Sequence, residues 1–404
     1  MSTIWAPQDT PIRSSKSVLV QGLCRSVLTA LLALSLAACG ALDFFSSDTS
    51  EQPTELQDFS EEVRFNQKWS VSVGDGQGDR HNKLTPALDG ANIYAASADG
   101  TVMAIDKANG RVLWRVRTEQ IITGGVGASN GLVLFGTRNA RVVALEQSTG
   151  QELWNIGVSS EVLAAPQTDG RIVVAQTVDG KLMAFEAASG ERRWIYESTV
   201  PALTLRGSGR PLLAGNTVVA GFSNGMIAAI DASNGFLLWE ERVAVPQGRY
   251  DIERVIDVDG DLLLSGSTVF ASSYQGNLMG FDLQTGRIIW GKEGSSYHGL
   301  ETGFGNIYVI SDSSHVIAIR NNTDQIAWEN EQLRLRQLTA PRTFGNYIAV
   351  GDFEGYVHLI SQIDGRFVGR TKADGKGIRA NLLADSDTLY VFGNSGKLSA
   401  LSLR

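Results

Sequence analysis

Ala104-Ile105-Asp106-Lys107-Ala108-Asn109-Gly110-Arg111-Val112-Leu113-Trp114 decides the fold, because the chain keeps returning to it. Ala144-Leu145-Glu146 leads through Gly150 to Trp154, and Ala184-Phe185-Glu186 through Gly190 to Trp194. Ala229-Ile230-Asp231 reaches Trp239 through Gly235, and Gly280-Phe281-Asp282 reaches Trp290 through Gly286. Ala318-Ile319-Arg320 ends at Trp328 with Asp324 in the glycine's place. Leu359-Ile360-Ser361 passes Gly365 but has Gly369 where tryptophan belongs. The pattern is Ala-x-Asp/Glu-x-x-x-Gly-x-x-x-Trp, and self-similarity at about 40 residues marks a propeller or solenoid.

One copy reads as a β-hairpin. Thr101 to Ile105 is a run of small and β-branched residues suited to a strand. Asp106 can accept hydrogen bonds from the turn it opens, and Gly110 supplies a positive φ. Arg111 to Val116 returns with polar and apolar residues alternating, and the tryptophan is the bulky piece buried against a neighbour. A second pair of short runs precedes each hairpin, as in Thr85 to Leu88 and Asn92 to Ser97. Four strands per repeat make the blade of a β-propeller.

The tryptophans at 69, 114, 154, 194, 239, 290 and 328 are separated by 45, 40, 40, 45, 51 and 38 residues. After the Gly369 repeat only two more strands follow, 388–392 and 397–401, while 66–71 reads as a fourth strand with no blade before it. Joining the termini completes an eighth blade and removes the open edges of the ring. The expectation is therefore all-β: an eight-bladed propeller of four-stranded antiparallel blades over 63–404, closed by the N-terminal strand.

Residues 1–38 read as a leader. Arg13, Lys16 and Arg25 precede an apolar run from Val27 to Ala38 that is too short to span a bilayer. Leu36-Ala37-Ala38-Cys39 resembles the bacterial lipobox, whose cysteine is lipidated and becomes the mature N-terminus. Gly40, rather than aspartate, after that cysteine resembles sorting to the outer membrane. The two cysteines are Cys24 and Cys39, so a chain cut before Cys39 can form no internal disulfide. Residues 39–62 hold seven acidic residues and no basic one, and are expected to be a flexible tether. That acidity, with the formal net charge of −8, argues against nucleic acid as partner.

Catalytic motifs are scarce. His81, His298, His315 and His358 lie on different repeats with no partner at metal-ligand spacing. No Gly-x-Ser-x-Gly, His-Glu-x-x-His or Walker-type loop occurs. Gly124-Gly125-Val126-Gly127 has no helical pattern after it, and Asp99-Gly100, Asp179-Gly180 and Asn224-Gly225 sit where hairpin turns belong. The acidic group Asp251, Glu253, Asp257, Asp259 and Asp261 reads as a solvated loop, with Ca²⁺ ligation the alternative. No metal and no cofactor are expected. The extra residues in the spacing fall in two adjacent connections, 198–211 and 245–260, and long insertions on one face of a repeat fold often form its binding surface.

The repeat resembles that of the pyrroloquinoline-quinone type propellers. Within that class the lipobox and single ring resemble the propeller lipoproteins of the bacterial outer-membrane β-barrel assembly machinery. The resemblance implies a non-catalytic scaffold, anchored in the outer membrane and facing the periplasm. Its implied partners are the POTRA domains of the central barrel subunit, and it would assist folding and insertion of outer-membrane proteins. Contact with unfolded substrate chains stays open. Leu203-Thr204-Leu205-Arg206-Gly207 and Asp257-Val258-Asp259 resemble the family's partner-contacting segments, which points to Leu203, Leu205, Arg206, Asp257 and Asp259. Leu203 and Leu205, if extended, face one side beside Arg206, and Asp257 and Asp259 would pair with Arg206 or with the partner. Gly369 and Asp324 depart from the repeat and bear on blade packing rather than on this site. The rival reading is a pyrroloquinoline-quinone-dependent dehydrogenase, but such enzymes characteristically use an adjacent cysteine pair that Cys39 alone cannot supply.

Overall fold

The size rule in each outer hairpin explains the repeat. Cross-strand neighbours are Ala104 and Trp114, Ala144 and Trp154, Ala184 and Trp194, Ala229 and Trp239, Gly280 and Trp290, and Ala318 and Trp328. A small residue faces each indole across the ladder. A β-bulge follows each pair, for instance between Ala104 and Ile105, where an extra residue turns the strand before the hairpin closes. Among the described residues every indole N–H then donates to a carbonyl in the next blade's hairpin, as Trp114 does to Gln147 (3.0 Å) and Trp194 to Ala232 (2.9 Å). Gly110, at φ 75°, lies under the preceding tryptophan, and a Cβ there would stand 2.7 Å from Trp69 Cδ2. The repeat is therefore an interlock between blades, indole over glycine.

These contacts come from a computed structural model that describes residues 51–78, 82–207, 209–321 and 323–404. Eight four-stranded antiparallel sheets follow one another around the ring. Blade 1 comprises Ala87–Asp89, Asn92–Ala96, Thr101–Asp106 and Val112–Arg117. The short first strands of neighbouring blades approach one another, which places them around the axis and the tryptophan strands outside. The middle strands are buried on both faces, and the core forms a series of clusters between blades.

Blade 8 is closed as expected. Phe65–Ser72 pairs antiparallel with the last strand, Lys397–Leu403, and Trp69 faces Ala400. Its sheet therefore runs from the closing strand inward to Leu383–Asp385. The first and last turns of the ring are joined further by Arg64 N–H to Arg404 carbonyl at 3.2 Å and the reverse bond at 2.9 Å.

The two departures are resolved differently. In blade 6, Thr323 N–H donates to Arg320 carbonyl, and Trp290 takes the Thr323 carbonyl, so the hairpin without its glycine still receives an indole. In blade 7 the size rule is inverted, with Leu359 facing Gly369. Blade 8 has no outer hairpin to offer a carbonyl, because its two outer strands come from opposite ends of the chain.

The expected tether meets the ring sooner than composition suggests. Thr54 N–H donates to Arg334 carbonyl at 3.0 Å, and Leu56 and Phe59 pack on the buried cluster containing Leu333, Leu338 and Phe367. Two apolar residues in an acidic run make that contact. Cys24, Cys39 and the leader lie outside the described residues, as does His81.

Candidate functional site

Connections that leave an outer strand and enter the next blade emerge at one end of the sheets, together with the turns between second and third strands. Both long connections, 198–211 and 245–260, the latter extended by the strand ends Arg242 and Leu263 to 243–262, are therefore on one face. Leu203 and Leu205 stand out from the first of them, 41% and 40% exposed. Carboxylates of the second connection hold the backbone at Leu205 and Gly207. Leu205 N–H donates to Asp257 Oδ2. Gly207 N–H donates to Asp259. A Cβ on Gly207 would stand 2.2 Å from Asp259 Oδ2, so that close approach requires glycine. Arg206, between the two, is in the left-handed region at φ 56°.

This geometry corrects two expectations. Arg206 pairs with neither aspartate; its guanidinium reaches Glu161 in the connection from blade 2 to blade 3. Asp257 is wholly buried, with Oδ1 lacking a hydrogen-bond partner, and faces the loop rather than a partner. Burial pushes its carboxyl up to about 6, against the pull of Leu205 N–H. Burial, then the Asp257 charge, push Asp259 up to about 7, with Lys83 and Gly207 N–H opposing.

The acidic group is likewise not one solvated loop. Asp251 and Glu253 are exposed in a single 3-10 turn, Asp251–Arg254. Asp261 accepts from Arg210 N–H and Nε, both at 2.9 Å, and from Asn381 Nδ2 at 3.3 Å. Burial opposes its ionisation, but the Arg210 charge and hydrogen bonds hold its carboxyl below the usual range. Asn381 enters blade 8 and Asp261 enters blade 5, so this hydrogen bond joins two blades that are not neighbours in the ring. Both residues line a cavity of about 880 Å³ that is also bordered by Leu205, Arg206, Lys83, Asp259, Tyr297 and Phe353.

The same face exposes Tyr250 (69%), Ile252 (60%) and Val245 (57%), which the sequence reading passed over. Tyr250 and Ile252 alternate as Leu203 and Leu205 do, and that was the available signal.

Among the described histidines, His298 and His358 are buried, and burial lowers both below 6.5. Strand pairing brings His315 to Glu329 and Glu331, a group that could hold a cation and that linear spacing had hidden. His315 Nδ1 is hydrogen-bonded to Glu329 Oε1 at 2.9 Å, and both glutamates are exposed.

Eight blades of this repeat, one ring closed by both termini and the long connections gathered on one face define a propeller of the pyrroloquinoline-quinone repeat class. A family model described as outer membrane protein assembly factor BamB matches residues 98–330. The chain belongs to the BamB family of outer membrane protein assembly factors. It is 58% identical to the BamB of Pseudomonas aeruginosa over 93% of this chain and 98% of that one. It is 44% identical to the BamB of Marinobacter adhaerens, over 92% and 96% of the two chains. The crystal structure of BamB from Moraxella catarrhalis superposes with a TM-score of 0.77 at 31% identity, covering 84% of this chain and 99% of that one. A europium-containing methanol dehydrogenase reaches a TM-score of 0.68 at 14% identity, covering 84% and 93%, a likeness of fold alone.

Proposed function

We propose that this chain is a non-catalytic scaffold subunit of the machinery that assembles β-barrel proteins into the outer membrane. It is anchored there through a lipid on Cys39 and faces the periplasm. Its loop 203–207 binds the POTRA domains of the central barrel subunit. The observation that carries the reading is the loop itself: two leucines and an arginine are presented to solvent by a backbone tied down from behind. A rigid apolar centre with a charged neighbour is the form of an interaction hot spot, because little freedom is lost on docking. Membership in a family of assembly factors supports the partner, and the resemblance of the two segments supports the loop. In this reading Leu203, Leu205 and Arg206 make contact, while Asp257 and Asp259 act by holding the loop. The dehydrogenase alternative has only fold-level likeness behind it.

The test is binding of a soluble POTRA fragment to purified variants. Leu203→Ala with Leu205→Ala, and separately Arg206→Ala, should each weaken binding by about 1–2 kcal/mol or more with little change in melting temperature. Unchanged binding sinks the assignment of the loop.

A further inference from the structure

The outer edge of blade 7 is built to receive a segment of the chain. A Cβ on Gly369 would stand 2.8 Å from Val63 carbonyl oxygen, so the missing side chain opens the notch in which Val63 lies. Residues 54–63 run along that edge. Glu62 and Val63 N–H donate to Val368 carbonyl at 2.9 and 3.1 Å. The Phe59 ring lies 5.5 Å from that of Phe367, and the Arg370 guanidinium sits over both, 4.9 and 5.3 Å from their centroids. Arg366 forks onto the Glu62 carboxylate at 2.8 and 2.9 Å.

Beneath this strap lies a row of buried charges that the partner loop does not use. Arg336 donates through Nη1 to Thr54 carbonyl at 2.9 Å and through Nε to Asp352 Oδ2 at 2.9 Å. Asp352 Oδ2 is 3.0 Å from His358 Nε2. Arg370 Nε donates to His358 Nδ1 at 3.0 Å, and its Nη1 donates to Gln57 carbonyl at 3.0 Å. The row begins and ends on strap carbonyls. A guanidinium can only donate, so His358 Nδ1 is the acceptor and Nε2 carries the hydrogen. Asp352 and His358 are fully buried. Only a neutral imidazole fits, because a proton on Nδ1 would point at Arg370.

We propose that residues 54–62 form a latch and that His358 is its acid-sensitive catch. Protonation at Nδ1 breaks the bond from Arg370, and Arg370 is the group that holds Gln57 and Phe59. Asp352 attracts the proton, and Arg370 and Arg336 repel it. The rings of Tyr356 and Phe367 flank the imidazole; Glu354 sits on Arg336 and Asp58 faces Arg370. Burial is the largest influence and holds His358 below 6.5. Asp352, despite burial, is kept below the usual carboxylate range by His358, Tyr356 N–H and Arg336, so it stays charged as His358 titrates. The shut state resists a proton that an opened, hydrated imidazole takes readily, so opening gains as pH falls below 6.5. Release would free nine residues, about 30 Å of extended chain, and lengthen the reach of whatever precedes Thr54.

Hydrogen exchange of the full chain, read by mass spectrometry and corrected for intrinsic rates, tests this at about pH 7.5 and about pH 5. The peptide covering 54–63 should lose protection about tenfold or more on acidification, while Thr217–Gly221 keeps its own. His358→Gln retains a donor and an acceptor without a titrating group, and should hold the strap shut at both values. An NMR titration of the His358 ring in the wild-type protein should share its midpoint with strap opening, and it decides the matter if the variant does not fold. Unchanged exchange on acidification overturns the proposal. So does opening at a pH where His358 does not titrate, or the same opening in His358→Gln.

Discussion

Asp257→Asn should make the protein more stable at neutral and alkaline pH, although it removes the charge of a residue that holds the partner loop. The folded state lifts this carboxyl from 3.8 to about 6, so folding binds the proton more tightly than the unfolded chain does. The ionised side chain therefore costs stability at every pH above about 6. The cost shrinks as pH falls from there toward 3.8 and is gone below it. At 1.36 kcal/mol per tenfold in proton affinity, the cost is about 3 kcal/mol. Asparagine removes it and keeps an oxygen for Leu205 N–H. Its amide nitrogen inherits the place of the unpartnered Oδ1, which takes back about 1–2 kcal/mol and leaves a gain of about 1–2 kcal/mol. Denaturant unfolding of both proteins near pH 8 and near pH 4 reads this directly. The gain should be present at the higher pH and absent at the lower. A variant less stable at pH 8, or an advantage of equal size at pH 4, would refute the account of Asp257 as a buried, strained anion.

Two further outcomes follow from the interlock and the leader. Trp194→Ala removes a buried indole that covers Gly235 and reaches Ala232, and should cost about 3–5 kcal/mol in calorimetric stability. Cys39→Ala should leave an unlipidated precursor, and incorporation of labelled palmitate by that variant would end the lipoprotein reading.

The blades were legible because one spacing carries both the turn chemistry and the size rule: Gly110 must tuck under an indole, and Ala104 must face one. Ring closure was legible because an unpaired fourth strand at one end matched a missing one at the other. Two things were not. Asp257 sits in a run of acidic residues that composition reads as solvated; its burial depends on a backbone N–H contributed from 52 residues away. The strap was hidden for a related reason. Leu56 and Phe59 are two apolar positions among acids, and the surface they pack on, with Leu333, Leu338 and Phe367, comes from residues more than 270 positions later, while the notch for Val63 depends on Gly369 lacking a side chain.

Closure of the ring by Phe65–Ser72 against Lys397–Leu403 also sets an order of events. A chain made from its N-terminus forms its first inner blades from local hairpins, while the closing strand waits without its partner. That partner is Lys397–Leu403, so the eighth blade cannot exist until the seven blades before it have been made. Contacts this distant in sequence are slow to form. Until they do, both ends of the array present open edges and an uncovered Trp69. The ring is therefore most exposed to mispairing in the interval before 397–403 is available, and its closing strand finds its ladder only then.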